Sequence, residues 1–396
     1  MTRIELRENG EWTPVTVAPA DVAMACAAGL LESRVTGPGL QVKPLLNRVG
    51  AVSVGHDEFV VHPKAPFSSV LFMLGQASDP GFRPEEVSGT GSEVFPAVAE
   101  TYTRLLERSS GRGVLQGYRR YDETAVAVRG RIRFSDQMSR RGGQLLPVEL
   151  TIDDYTADIA ENQILRAAAR RLLMLPSTGT STRRRLAHQE SRLADASLLR
   201  PEAPLPAWRP SRLNERHQPA LRFAELVLSR STPSTTGGGG DQRIASFVVN
   251  MAEAFEGFVT AALTRAFARR SRGVSVAQYP THLDEERRQP IRPDLVHLVG
   301  GVPTAVVDAK YKMGAPRVED LYQMLAYCSV LGLREGTLVY VASGESAPRT
   351  ASIRGTDVVV RTARLDVSVS PAFMLDQMDR IADELQERAN QHLHHG

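Results

Sequence analysis

Residues 292–312, RPDLVHLVGGVPTAVVDAKYK, constrain the fold more than any other part of this chain. Two apolar, β-type runs flank a Gly-Gly pair, a pattern that folds back as a hairpin. Side chains alternate faces along a strand, so Asp308 and Lys310 share one face and Ala309 takes the other. The fold-back about 300–303 brings Asp294 opposite residue 308 or 309, and a bulge or one-residue shift at Gly300-Gly301 decides which. The hairpin thus carries two carboxylates and an ammonium to one strand end, inside runs that otherwise read as buried.

The lysine is itself informative. Lys and Arg together number 48, and only Lys43, Lys64, Lys310 and Lys312 are lysine. Arg is a planar, permanently charged fork, whereas Lys is a compact point charge. A site that needs one ammonium beside a reacting atom selects Lys. Two hard oxygen donors suit Mg²⁺, with Mn²⁺ as a substitute, because Mg²⁺ keeps several waters and uses few protein carboxylates. Phosphodiester hydrolysis needs that arrangement: the metal polarises the phosphate and acidifies a bound water. The ammonium orients that water and stabilises developing negative charge.

Asp-x-Lys on a strand is, by itself, a common solvated edge pair. Its neighbours favour the catalytic reading. Glu256, in EAFEGFV, stands at the edge of the apolar stripe of the helix before the hairpin. Gln323 and Tyr327, in DLYQMLAY, are spaced i and i+4 and share a helix face, within reach of a DNA backbone near the metal. The expected site is Asp294, Asp308 and Glu256 as metal ligands, with Lys310, Gln323 and Tyr327 completing it. Lys312, on the same face two residues on, has no assigned role: it touches phosphate or caps the strand in solvent, the second being slightly favoured.

The rest of the chain frames this hairpin. At 396 residues it is long enough for two or three domains. Residues 1–140 read as a mixed, strand-rich domain with helices at 20–32 and around 93–108. Residues 141–240 read as a helical region that ends in STPSTTGGGG, a flexible linker. Residues 241–396 read as an α/β domain with a mixed sheet, in the order helix (245–269), hairpin, helix (317–332), strand (336–343), strand (356–369), helix. Arg129, Arg131 and Arg133 alternate on one strand face, where they contact DNA, a partner or solvent. Cys26 and Cys328 make no disulfide framework and fit a reducing cytosol. No apolar run is long enough to span a bilayer, and no P-loop is present to bind GTP.

Charge separates the functional classes. Residues 241–396 hold 18 Lys/Arg and 19 Asp/Glu, a net of −1, and residues 1–240 carry +4. A domain without basic surplus is poorly equipped to capture DNA unaided. That weighs against a free-standing repair or recombination nuclease. The paired carboxylates and lysine weigh against a non-catalytic adaptor of a motor.

The segments RPDLV and VVDAKYK resemble the PD-(D/E)xK restriction-endonuclease-like core, and Gln-x3-Tyr is similar to its RecB-like branch. More narrowly, AEAFEGFV, RPDLV, VVDAKYK and EDLYQMLAYCSVLG resemble the McrC family of modification-dependent restriction systems. FVVHPKAPFSSVLFML, VRGRIRF and DDYTADIAENQILRAAARRL extend the likeness over most of the chain. The resemblance implies a cytoplasmic Mg²⁺-dependent DNA endonuclease subunit with Asp294, Asp308 and Lys310 as its active site. Glu256, Gln323 and Tyr327 carry over beside them. It also implies a McrB-type AAA+ GTPase partner that recognises and translocates modified double-stranded DNA. The Gly-rich 231–240 insertion and the first 60 residues depart from the pattern, which leaves the partner-docking surface open.

Overall fold

The structure, a computed structural model, describes residues 2–37, 39–79, 82–87, 89, 93–175, 178–200, 203–230, 244–270, 273–342 and 349–393. The expected linker at 231–240 lies outside the described residues. Met1–Val98 and Arg230–Gly396 make one compact unit, and Ala99–Ser229 makes another. The segments 1–140, 141–240 and 241–396 divide the chain by sequence order; the units instead join its two ends.

The first unit opens with β1 (Thr2–Arg7), β2 (Thr13–Pro14), α1 (Pro19–Ala27), β3 (Leu31–Thr36), β4 (Gly39–Pro44), β5 (Arg48–Val54), β6 (Asp57–His62) and α2 (Phe67–Ser78). The second unit begins within α3 (Val94–Ser110). It continues through β7 (Gly117–Ala125), β8 (Arg131–Ile132), α4 (Phe134–Arg141), β9 (Val148–Thr156), α5 (Ala160–Leu173), α6 (Thr180–Arg192) and α7 (Gln218–Arg230). The chain re-enters the first unit with β10 (Ile244–Asn250), α8 (Met251–Arg270), β11 (Val274–Ala277), β12 (Thr281–His282), β13 (Pro290–Ile291), β14 (Leu295–Val299) and β15 (Val302–Lys310). It ends with α9 (Val318–Leu331), β16 (Glu335–Ala342), β17 (Arg349–Ser352), β18 (Val359–Asp366) and α10 (Pro371–Leu393).

Two larger sheets build the first unit, and the architecture is mixed α/β. One sheet runs β1-β6-β5-β10, with β1 and β6 parallel and β10 antiparallel to β5. The other runs β11-β14-β15-β16-β18-β17, in which β15, β16 and β18 are parallel and both edges are antiparallel. Helix α9 covers one face of this sheet, where Met324, Tyr327 and Cys328 pack on Val306, Leu338, Tyr340 and Val360. Gly336 makes that contact possible, because a Cβ there would collide with the sulfur atoms of Met324 and Cys328.

The helix expected over 245–269 is corrected at its start. Residues 244–250 are β10, and the helix begins at Met251. The run ASFVV is β-branched and aromatic, and β5 offers it a partner, so tertiary pairing overrides the helical pattern. Asn250 marks the switch: its side-chain oxygen accepts the Ala252 N–H at 3.1 Å, as a helix cap does. Opposite Val248, Gly50 holds φ at 134°, and a Cβ there would strike the Phe247 carbonyl.

In the second unit, β7, β9 and β8 form an antiparallel sheet packed through Val148, Leu150 and Ile152. Strand β9 lies in the stretch read as helical, and its pairing with β7 accounts for it. The expected Arg129–Arg131–Arg133 strand stripe is corrected too, since β8 spans only Arg131–Ile132. Arg129 pairs with Glu123 at 2.7 Å and Arg133 with Asp122 at 3.1 Å. Among the described residues no helix is long and apolar enough to cross a membrane.

Candidate active site

The hairpin sets the geometry. Gly300 and Gly301 have φ of 61° and 83°, a two-residue turn between Val299 and Val302 with both central residues left-handed. The irregularity falls not at this turn but inward of it: Leu298 pairs with Pro303, whereas His297 pairs with Ala305. Thr304 is the extra residue, and its hydroxyl donates to the His297 carbonyl at 3.1 Å. Without it, continued pairing would set Asp294 against Val307. With it, Leu295 pairs with Val307, and Asp294 falls opposite Asp308 on the same face.

The carboxylates then meet. Asp294 is buried and accepts the Ala309 N–H at 2.8 Å, which locks it across the strand end. Asp308 is 2% exposed. Its side chain interacts directly with Asp294, and Asp294 in turn with Glu256 on α8. Burial first pushes the Asp294 and Asp308 carboxyls up to about 6, helped by the charge of Glu256 at Asp294 and by that of Asp294 at Asp308. Glu256 is raised as well, by burial and by Asp308.

Lys310 faces this group. Its Nζ lies 2.5 Å from Asp308 Oδ2 and donates to Gln323 Oε1 at 2.7 Å. The ammonium therefore forms a close ion pair with the buried Asp308 Oδ2. Gln323 passes the chain on, donating to the Tyr327 hydroxyl at 2.7 Å, which donates to the Arg292 carbonyl at 3.2 Å. The i, i+4 pair on α9 therefore braces the lysine, and all six expected residues gather in one place. Tyr327 is largely buried, so its role here is support from below.

Gln278 was not foreseen. It follows β11 with φ of 47°, and its amide donates to Glu256 Oε1 at 2.5 Å and Asp294 Oδ1 at 3.0 Å. Nothing in the stretch VAQYP announces this, because the position depends on β11 pairing with β14. Lys312 is exposed at the strand end but not unpartnered. It pairs with Asp320 at 3.0 Å, the buried acid that also accepts from Tyr340 at the start of α9.

Among the described residues no three His, Cys, Asp or Glu side chains form a ready-made metal cluster. The donor set still fits a hard divalent ion. Burial and mutual repulsion disfavour the charged carboxyls, and a divalent cation would relieve both. Mg²⁺ needs only one or two such ligands beside its waters.

A family profile described as McrBC 5-methylcytosine restriction system component matches residues 44–341, most of the chain. Among solved structures, the chain is similar to one in the refined half-complex from the tetradecameric assembly of Thermococcus gammatolerans McrB AAA+ hexamers with bound McrC. The identity is 15%, the TM-score is 0.61, and the match covers 97% of this chain and 100% of that one. A second match, in the cryo-EM structure of the Thermococcus gammatolerans McrBC complex, has 17% identity and a TM-score of 0.44, covering 68% of this chain and 89% of that one. No curated protein matches the sequence.

Proposed function

The chain belongs to the McrBC 5-methylcytosine restriction system component family, and we propose that it is the DNA-cutting subunit of such a system. In this reading residues 241–396 are a PD-(D/E)xK nuclease domain of the McrC type. The chain is a Mg²⁺-dependent endonuclease that hydrolyses phosphodiesters of methylated duplex DNA. The observation that carries the proposal is the convergence of Glu256, Asp294 and Asp308 on Lys310 at the end of β15.

Asp294 and Asp308, with Glu256 beside them, would hold Mg²⁺, and the bound ion supplies Lewis acidity to the phosphate and to a water. The other roles belong to the chain. Lys310 presents a single ammonium to the phosphate oxygens and the attacking water, where negative charge grows. Gln323 fixes the direction of that ammonium, and Tyr327 fixes Gln323. Gln278 holds Glu256 and Asp294 at a set spacing. The Ala309 N–H keeps one Asp294 oxygen from turning away.

The partner in this proposal is an AAA+ GTPase of the McrB type. The net charge of −1 over residues 241–396 supports delivery of the DNA rather than its capture by this domain. The test is scission of a methylated duplex by the chain with its AAA+ partner, GTP and Mg²⁺. Cutting is expected from the wild type and is lost in Asp308→Ala, which removes an interaction made in the transition state. Equal cutting by wild type and Asp308→Ala would overturn the assignment.

A further inference from the structure

The residue after Lys310 is anchored outside the hairpin. A Lys312 N–H to Lys310 carbonyl bond of 2.7 Å closes a three-residue turn with Tyr311 at its apex. Tyr311 leaves the strand end toward α8. Its ring packs against Phe255, with centroids 5.8 Å apart and planes at 56°. Phe255 is the neighbour of Glu256 on α8. The Tyr311 hydroxyl donates to Glu8 Oε2 at 3.0 Å.

Glu8 belongs to the far end of the sequence. It follows β1, its own N–H donates to the His62 carbonyl at 2.9 Å, and its Oε2 also accepts the Lys64 N–H at 3.3 Å. It is 5% exposed, and its Oε1 is buried without a hydrogen-bond partner. A buried carboxyl with an unsatisfied oxygen carries a desolvation cost, and what offsets it here is acceptance from the Tyr311 hydroxyl and the Lys64 N–H.

We propose that Glu8 and Tyr311 are positioning residues for the catalytic lysine: the Glu8–Tyr311 hydrogen bond ties the end of β15, and with it Lys310, to the N-terminal sheet. This rests on the nuclease reading of the site above. Lys310 lies at the last residue of β15, where the ladder to β16 stops. One side of the turn is held by Lys312 on Asp320, the other by Tyr311 on Glu8. The N-terminal sheet reaches the site by a second route, since β10 runs directly into α8 and Glu256. Reactive groups must be held within a fraction of an ångström to act, and both routes restrain them.

Two measurements on the full chain test this. The first reads Lys310 without any turnover. Four lysines give an unambiguous pattern of acylation by mass spectrometry, with Lys43 as the internal reference. Tyr311→Phe keeps the ring and removes the hydroxyl, and is expected to raise Lys310 acylation several-fold while Lys43 is unchanged. Glu8→Ala is expected to do the same, and Glu8→Gln, which keeps an acceptor oxygen for both donors, to restore the wild-type rate. Unchanged Lys310 reactivity in Tyr311→Phe overturns the proposal, whatever the chain cuts.

The second measurement is DNA cleavage by the complex with its partner. Tyr311→Phe and Glu8→Ala should each lower kcat about ten-fold with KM unchanged, and together no more than Glu8→Ala alone, because both remove the Glu8–Tyr311 bond. A wild-type rate for Tyr311→Phe, or equal losses in kcat and stability that Glu8→Gln does not rescue, also overturns it. Failure of the nuclease reading looks different: neither wild type nor Asp308→Ala then cuts DNA, and the role assigned to Glu8 falls with it.

Discussion

At Lys310 the side chain has two heavy-atom neighbours on fixed elements, Asp308 at 2.5 Å and Gln323 at 2.7 Å. A guanidinium carries the same charge but is longer, planar and forked, and it cannot enter that space without displacing one of them. Lys310→Arg is therefore expected to lower the cleavage rate by about 100-fold or more, a loss typical of removing one charge-stabilising group. A rate within a few-fold of wild type would show that charge alone matters there. The scarcity of lysine in the sequence draws attention to this residue, and the fold sets it beside Asp308 and Gln323. The partner of its companion Lys312, Asp320, is not legible in the sequence because it sits on a different element. Gln278 is invisible for the same reason: a left-handed φ and a neighbouring strand place it, and neither leaves a mark in the local sequence.

His217, in the second unit, is a separate residue-scale case. It is buried, both ring nitrogens lack a hydrogen-bond partner, and burial lowers its pKa to about 4. The sign follows from the neutral ring being the folded form. As pH falls below about 6.5 the unfolded ring takes up a proton and the folded one does not, so stability drops until about pH 4. Thermal unfolding at pH 7.5 and 5 should show a loss approaching about 2 kcal/mol over that interval. His217→Leu should remove this part of the pH dependence. A wild-type chain equally stable at both values would contradict the buried neutral ring.

Elements place the site through close approach. Helix α9 carries Gln323 and Tyr327, and it lies against β16 only because residue 336 is glycine. Gly336→Ala should push the helix outward, cost about 1–3 kcal/mol through overpacking, and loosen the Gln323–Lys310 bond. Cleavage should fall by about ten-fold, and a melting curve should shift with it. Full activity would mean that α9 does not brace the lysine. The hairpin itself was legible, since two apolar runs around Gly-Gly have few other solutions. Its register was left open between two pairings, and the bulge at Thr304 rather than at the glycines resolves it. A bulge depends on cross-strand bonding that a single strand's sequence does not display. The start of α8 was misread for a related reason, because SFVV satisfies both a helical stripe and a strand until β5 is there to pair with it.

Across the whole molecule, the two ends of the chain build one unit. β10 completes the sheet of β1, β5 and β6, and Phe247 meets Phe67 edge-on at 6.4 Å. Phe258 on α8 packs against Phe72 on α2 at 5.8 Å. Local patterns cannot reveal such pairing between segments nearly 200 residues apart in sequence. One consequence is that residues 241–396 expressed alone should expose these rings and lack cooperative unfolding. A sharp melting transition for that fragment would show instead that its own core suffices.

The central claim is that buried carboxylates at one hairpin end form a divalent-cation site beside Lys310. Titration of Mn²⁺ into the full chain, followed by loss of the free-ion resonance, tests it without DNA or partner. Binding should be saturable in the wild type, weaken as the pH is lowered and protons compete for the carboxylates, and vanish in the Asp294→Asn, Asp308→Asn double variant. Binding by the double variant as strong as by the wild type would contradict the claim.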